Sequence, residues 1–198
     1  MLKFKYVIIS LVLLLLSGCS NTSIAVIGEP LEIDNSEPIA TIDYAHQKVH
    51  EGSHYNYRDY YMLSKNTDKE FLLVTPAIQK EGHLILGFDA TTSTIIVELF
   101  EDATFSNIGT IEPVINRNRN SNKTNTILLY EDPVIITDGL ELASGIFGAG
   151  KKSNGDADRD TQEIILKQNT TYLIRITETN IQNTNINILF DWYENSVD

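Results

Sequence analysis

A succession of short apolar runs, rich in β-branched residues and separated by Gly, Pro, Asn or Asp, constrains the fold of this chain more than any other feature. Runs of this length, bounded by turn-forming residues, are typical of β-strands. They lie at residues 71–74, 84–86, 95–100, 127–130 and 134–136, and residues 172–176 and 186–192 alternate apolar with polar. No segment keeps the i, i+3, i+4, i+7 spacing of an amphipathic helix. The sequence therefore predicts an all-β fold, an antiparallel β-sandwich or jelly-roll-like domain of about ten strands.

Turn signals and side-chain alternation give finer predictions. Asp138-Gly139 between two apolar runs predicts a tight hairpin. Residues 107–109 and 168–170 predict turns. Between residues 186 and 193 one parity is wholly apolar and includes Trp192, so this face is expected to lie between the sheets. Because residues 172–176 show the same alternation, we expect the two segments to pair antiparallel or to lie close together.

The N-terminus has the three-part layout of a secretory leader. Lys3 and Lys5 precede an apolar run at residues 7–16, which is too short for the ~20 residues of a membrane span. Leu16-Ser17-Gly18-Cys19 resembles the bacterial lipobox, which implies lipidation of Cys19, the sole cysteine, as the first mature residue. A buried cysteine after a helix at the start of the domain is the alternative interpretation.

This leader divides the chain into three predicted parts. Residues 1–18 are a lipoprotein signal peptide, residues 19–38 a tether, and residues 39–198 the β-sandwich domain. Several acyl chains on one residue give durable membrane attachment. Ser20 follows the cysteine, and similarity to sorted lipoproteins then implies an outer-membrane or cell-surface location, with a phage virion as the alternative.

Charge and cysteine content exclude several classes of protein. The net charge is −12, and it becomes −14 once the leader is removed, because Lys3 and Lys5 are its only charged residues. A nucleic-acid partner held by general phosphate attraction is therefore not expected. One cysteine excludes an internal disulfide framework and a Cys-rich zinc site.

His50-Glu51-Gly52-Ser53-His54 matches the H-E-x-x-H pattern of zinc peptidases. That pattern binds zinc when a helix brings both histidines to one face. Here the interior Gly-Ser and the tyrosine-rich segment that follows favour a strand, in which the two histidines would lie roughly 13 Å apart. We therefore predict no catalytic zinc, although His46 keeps adventitious metal binding open.

Two further patterns lie at residues 145–160. Gly145 to Lys151 comes close to a phosphate-binding loop, but Lys152 stands where Ser or Thr should hold magnesium. Residues 156–160 begin like a calcium loop, yet Thr161 and Lys167 replace the required Gly and Glu, so only a looser calcium site stays open. The sequence predicts no catalytic residue, no cofactor-binding residue and no metal ligand.

Two polar segments are the predicted partner-contact loops, because long loops on a sheet scaffold commonly carry function. They are residues 116–125 and 145–160, and their candidate contact side chains are Arg117, Arg119, Lys123, Lys151, Lys152 and Arg159. Tyr55, Tyr57, Tyr60 and Tyr61 could form an aromatic platform for a carbohydrate. Their mixed parity instead favours a division between core and surface.

From about residue 39 to 194 the chain resembles virion proteins of tailed bacteriophages and prophages, described as head-decoration or capsid-fibre proteins. The similar stretches are residues 50–52, 74–76, 97–101, 116–121, 138–139, 148–150, 165–177 and 191–194. Residues 116–121, Asn-Arg-Asn-Arg-Asn-Ser, and the closing segment are the more specific. The resemblance implies an antiparallel β fold and a non-enzymatic, surface-displayed role. A phage head assembles in the cytoplasm, so we interpret the chain as a phage-type module joined to a lipoprotein leader, with a misassigned start as the alternative.

These observations predict a structural or adhesive surface module that is lipid-anchored through Cys19. The expected partners are the membrane and a protein or a surface glycan, and a homo-oligomer is compatible with this role. Two alternatives are a surface lipoprotein that excludes superinfecting phage and a carbohydrate-binding module.

Overall fold

The computed structural model of this protein describes residues 42–148, 162–179 and 183–196. They belong to one compact unit, Ile42–Asp198. The predicted signal peptide, the tether, Cys19, the calcium-like segment, Lys151, Lys152 and Arg159 lie outside the described residues. No helix among the residues described is long and apolar enough to cross a membrane.

Thirteen strands and one short helix make up the described part of the chain. The helix α1 is Tyr44–His50. The strands are β1 His54–Leu63, β2 Asp68–Val74, β3 Lys80–Ala90, β4 Thr94–Glu101, β5 Thr104–Asn107, β6 Thr110–Ile111, β7 Ile115–Asn116, β8 Leu128–Glu131, β9 Val134–Thr137, β10 Leu140–Gly148, β11 Ile164–Leu166, β12 Thr171–Glu178 and β13 Thr184–Ser196.

The strands form a sandwich with jelly-roll order. One sheet has the order β11-β3-β13-β1-β7, the other has the order β10-β4-β12-β2-β8-β6, and every pairing is antiparallel. Without the short strands β6, β7 and β8, two four-stranded sheets remain. The chain passes repeatedly from one sheet to the other, as in the two Greek keys of a jelly roll. The predicted all-β sandwich is confirmed. There are more strands than expected because the segment between β4 and β10 adds pieces of two to four residues.

The core between the sheets is built by the alternation that the sequence shows. Trp192 and every second residue before it back to Ile186 on β13 are buried, and they share one cluster with Tyr172, Ile174 and Ile176 of β12. The two strands nevertheless belong to opposite sheets, since β13 pairs with β1 and β3 while β12 pairs with β2 and β4. The two segments lie close together, as one of the two expectations had it, but they do not pair, because their equal parity reflects two faces that meet across the core.

A second, smaller core lies on the outer face of the six-stranded sheet. Leu72, Phe100, Ala103 and Leu173 are buried there against Phe105, Ile108, Tyr130 and Ile135. Phe105 and Ile135 come from the two-stranded ribbon β5–β9. The middle of this sheet is therefore covered on both faces, which explains why residues 71–73 are apolar without alternation.

Asp138-Gly139 does not form the predicted hairpin. β9, before it, pairs with β5 in the ribbon, whereas β10, after it, pairs with β4 in the six-stranded sheet. Gly139 has φ +91°, and a Cβ there would lie 2.1 Å from the backbone oxygen of Glu101. The dipeptide is therefore a tight crossing between two layers, where close approach and positive φ both require glycine.

Helix α1 was not predicted, because seven residues are too few to show a helical period. Asp43 caps its N-terminus by accepting a hydrogen bond from the His46 amide at 2.9 Å. The Tyr44 ring packs edge-on against Tyr193 of β13, with centroids 5.7 Å apart. The helix thus covers part of the outer face of the five-stranded sheet.

Candidate functional site

The two histidines of the H-E-x-x-H pattern lie in different elements with different partners. His50 ends α1, and its Nε2 lies 3.1 Å from Nε2 of His46. His54 begins β1 and is buried. The expected strand geometry is therefore wrong at His50, and the pattern instead marks the junction between a helix and a strand. No group of three or more His, Cys, Asp or Glu side chains in the described part of the chain is arranged to hold a metal ion.

His54 joins α1 to β13 through a buried pair with Asp191. Its Nδ1 lies 3.1 Å from the Ala45 carbonyl oxygen, and its Nε2 lies 3.0 Å from both carboxylate oxygens of Asp191. Both ring nitrogens thus lie within hydrogen-bonding distance of oxygen atoms, one on α1 and one on β13. Arg117 Nη1 stands 3.7 Å from Asp191 Oδ1 and places a positive charge beside this carboxylate. These contacts join helix α1, strand β13 and the polar loop that carries Arg117.

A second polar group lies beside it on the same face. The His83 ring stacks on Tyr193 with centroids 4.4 Å apart, and His83 Nδ1 lies 2.7 Å from Glu163 Oε1. The Tyr193 hydroxyl donates to the same Glu163 oxygen at 3.1 Å. These contacts connect β3 and β13 with the residue that precedes β11.

The polar loop at residues 116–125 is fixed to the sandwich by its asparagines. Asn116 and Asn118 each accept a hydrogen bond from the amide two residues later, at 2.9 and 3.1 Å, as in Asx turns. Their side-chain amides donate to the carbonyl oxygens of Gly52 and His50, both at 3.0 Å. Arg119 points to solvent. The predicted contact residues Arg117, Arg119 and Lys123 are all exposed, and Arg117 also contacts Asp191.

Glu194 fixes the end of this loop, and sequence reasoning missed it. The buried carboxylate accepts from the Thr126 amide and hydroxyl, each at 2.7 Å, and from the Ile127 amide at 3.1 Å. The sequence gives little sign of this role, because β13 also carries Asp191 and several asparagines among its apolar residues.

A pair of carboxyl groups lies where the short strands β6 and β8 meet. The Glu112 amide donates to Leu129 O at 2.9 Å, which places Glu112 diagonally across the ladder from Glu131. Burial, and then the hydrogen bond to Glu131, raise the pKa of Glu112. Burial also acts to raise the pKa of Glu131, but hydrogen bonds from Lys69 and Glu112 lower it overall. Glu112 is therefore the carboxyl group of the pair that takes up a proton more readily, and Glu131 the one that stays ionised.

Two tyrosines border this pair and titrate above their usual range. The Tyr57 and Tyr61 hydroxyl groups lie 2.7 Å apart, and burial raises the pKa of both. Lys69 contacts Glu131 and sits 4.6 Å from the Tyr61 ring centre. These distant sequence positions are brought together by the strand order, so no local motif could have indicated the cluster.

The four tyrosines of the proposed platform do not share a surface. Tyr55 and Tyr57 belong to the core, Tyr61 packs against it, and Tyr60 is 74% exposed. The division between core and surface is confirmed. The Tyr55 hydroxyl donates to Thr124 O at 3.0 Å, so it too holds the polar loop.

The edge strand β10 is the most exposed apolar element of the described chain. Ile146 is 75%, Leu140 63% and Leu142 39% exposed. Residues 145–148, predicted as part of a loop, belong to this strand and pair with β4. Gly145, the first glycine of the pattern that resembles a phosphate-binding loop, therefore lies inside a strand.

An apolar cleft of about 290 Å³ opens beside this edge, between the two sheets. Leu84 and Phe88 of β3 line one wall, and Val97 and Phe147 line the other. Because β11 has only three residues, the five-stranded sheet does not cover it fully. The β10 edge and this cleft, together called the β10 surface, form an exposed apolar site on the described chain.

Comparison with family models, curated proteins and solved structures gives no match for this chain. The phage resemblance therefore stays a prediction.

Proposed function

We propose that this chain is an exported, non-enzymatic surface module, anchored by lipid at Cys19, that acts as a structural or adhesive protein of the head-decoration or capsid-fibre kind. The observation that carries the proposal is the β10 surface, a long apolar strand edge beside an open cleft on a rigid jelly roll. Exposed apolar surfaces of this kind commonly mark interaction sites. Contact with a partner is therefore the role that the fold supports best.

The ionisable clusters support binding more than catalysis. His54, Asp191 and Glu194 are buried and join separate elements of the fold. Glu112 and Glu131 are engaged with Lys69, Tyr57 and Tyr61 at the margin of the sandwich. Each group therefore has a structural task, whereas the exposed aliphatic side chains of β10 have none.

The anchor rests on the sequence of the leader. Lys3, Lys5, the apolar run at 7–16 and the lipobox-like Leu16 to Cys19 are in the correct order.

Substitution of the cysteine tests the localisation. We expect Cys19→Ala to abolish acylation and to release the protein from the membrane fraction, while Ser20→Ala, the matched control, stays membrane-bound. Intact-mass measurement of the wild-type membrane protein should show an acylated chain that begins at Cys19. An unmodified chain beginning at Met1 in that fraction would refute the anchor.

Fractionation of an induced culture tests the role. We expect the protein in membranes of intact cells and not in purified virions. Finding it stoichiometrically in virions would replace the surface role with the capsid role, and reduced phage plating on expressing cells would favour superinfection exclusion.

A further inference from the structure

We propose that His46 and His50 form a two-histidine site for a late first-row divalent metal ion, with Cu²⁺ as the ion bound most tightly and water in the remaining coordination positions. The site lies on helix α1 and does not depend on the proposed function. The sequence pattern pairs His50 with His54, whereas the structure pairs His50 with the histidine one helical turn earlier.

Helix α1 places the two imidazole rings on one face. Residues four apart are neighbours on a helix surface, and histidines at this spacing are a common pair of metal ligands. The two Nε2 atoms lie 3.1 Å apart, while the ring centres lie 4.9 Å apart. The rings of His46 and His50 therefore approach each other through their Nε2 edges.

Both separations fit a single ion shared by the two rings. Two nitrogens that each bind one ion at about 2.0–2.1 Å lie about 2.9–3.4 Å apart, from a right-angled to a tetrahedral arrangement. With an imidazole radius of about 1.1–1.2 Å, the ring centres are then about 4.5–5.2 Å apart. A straight N–H···N hydrogen bond of the observed length would separate the ring centres by about 5.4 Å. The observed 3.1 and 4.9 Å therefore indicate two nitrogens that point toward one common position.

The surroundings of the pair admit a cation. Both histidine side chains are exposed, and the net charge of −12 favours the approach of positive ions. Lys48, the lysine of α1, does not oppose this strongly, because its Nζ lies 2.7 Å from Glu51 Oε2. Among the residues that the structure describes, no third His, Cys, Asp or Glu completes a metal-binding group. Water is therefore expected to fill the other positions.

The donor set selects the kind of metal. Imidazole nitrogen suits Cu, Ni and Zn, whereas Mg and Ca prefer oxygen ligands. A nitrogen separation of 3.1 Å is closer to the right-angled arrangement, which suits the tetragonal geometry of Cu²⁺. Affinity in this row also peaks at Cu²⁺. We therefore expect Cu²⁺ to bind more tightly than Ni²⁺ or Zn²⁺, and Mg²⁺ not to compete.

Calorimetric titration with Cu²⁺ tests the site. We use the full-length chain without a polyhistidine tag and with Cys19→Ala, which removes the only thiol. One tightly bound ion per chain is expected, and electron paramagnetic resonance should show two nitrogen ligands. Loss of an outer-shell partner already weakens metal binding by about 10–100-fold, so His50→Ala should weaken it by at least about tenfold.

A displaced histidine provides the matched control. Gln47→His combined with His50→Ala keeps the number of histidines but places the pair one residue apart, where side chains on a helix do not face each other. Positions 47 and 50 are both exposed, so these variants should keep the circular dichroism spectrum of the parent chain. We expect the control to bind Cu²⁺ as weakly as His50→Ala.

Hydrogen exchange tests the effect of the ion on the helix. An ion bound to both rings closes one turn of a helix of seven residues, a length that is marginal by itself. Saturating Zn²⁺ should therefore slow exchange of the Glu51 amide, which donates to Gln47 O at 3.0 Å. The displaced-histidine control should show no such slowing.

The proposal is wrong if the parent chain binds no Cu²⁺, or if His50→Ala binds it as tightly as the parent. Equal affinity in the displaced-histidine control would also overturn it, because that result would show adventitious binding by separate histidines. Unchanged exchange of the Glu51 amide in the metal-saturated parent would contradict a shared ion across the turn.

Discussion

Trp192→Ala should destabilise the protein strongly, because Trp192 is at the centre of the core. The side chain is 0% exposed, and on β13 it stands between Leu84 of β3 and Tyr55 of β1. Its ring centre lies 6.3 Å from that of Tyr55. The substitution therefore leaves a cavity bordered by both neighbouring strands and by the facing sheet.

The expected loss follows from the buried area. An aromatic side chain buries about 150–250 Å², which at about 25 cal/mol/Å² corresponds to about 4–6 kcal/mol. Alanine keeps the β-carbon and the cavity relaxes partly, so we expect a loss of about 3–5 kcal/mol in the free energy of unfolding. The lost contact of the indole NH with Glu194, 3.4 Å long, adds little because Thr126 and Ile127 still donate to that carboxylate.

Urea unfolding followed by far-UV circular dichroism measures this loss, since the variant lacks the only tryptophan. For a domain of this size we also expect the melting temperature to fall by about 6–20 °C. Tyr60→Ala, which removes an exposed aromatic side chain from β1, should change the free energy by less than about 0.5 kcal/mol. An unchanged midpoint in Trp192→Ala, equal to that of Tyr60→Ala, would refute the core assignment.

Two further predictions concern the backbone and a titrating group. Gly139→Ala should lower the free energy of unfolding by about 1–3 kcal/mol, because φ at this position is +91° and the new Cβ would clash with the backbone oxygen of Glu101. Thermal denaturation measures this loss. Gly145→Ala, whose Cβ would meet only a phenyl ring, should cost less, and equal losses would contradict the crossing geometry. The raised pKa of Glu112 stabilises the fold below the unfolded pKa, and this contribution is lost as pH rises through the folded pKa. Glu112→Gln should therefore flatten the decline of the unfolding free energy over that pH window, and an unchanged slope would show that folding does not raise the pKa of Glu112.

The longer strands could be predicted because their apolar patterns are strong. β2, β4, β12 and β13 each contain a predicted run, and the buried parity at Trp192 was correct. Packing alone accounts for this, since a half-buried strand must alternate.

The arrangement of those strands could not be predicted, because alternation shows which side chains are inside but not which sheet holds them. β12 and β13 have the same parity in opposite sheets, and Asp138-Gly139 joins two layers while resembling a hairpin turn. Short strands such as β6 and β7 form only because a longer strand beside them supplies hydrogen-bond partners. The local sequence indicates neither the arrangement of the sheets nor these short strands.

The same small residues explain why β10 was missed and why its surface exists. Ala143, Ser144 and Gly145 have low strand propensity or no side chain to pack, so the segment resembled a loop. In the structure, Ala143 and Gly145 line the cleft, and their small size leaves it open. Larger inward side chains at these positions would have strengthened the strand signal and also filled the cleft. A contact surface on this fold is therefore expected to be hard to recognise from sequence, because the residues that create it are those that weaken the pattern.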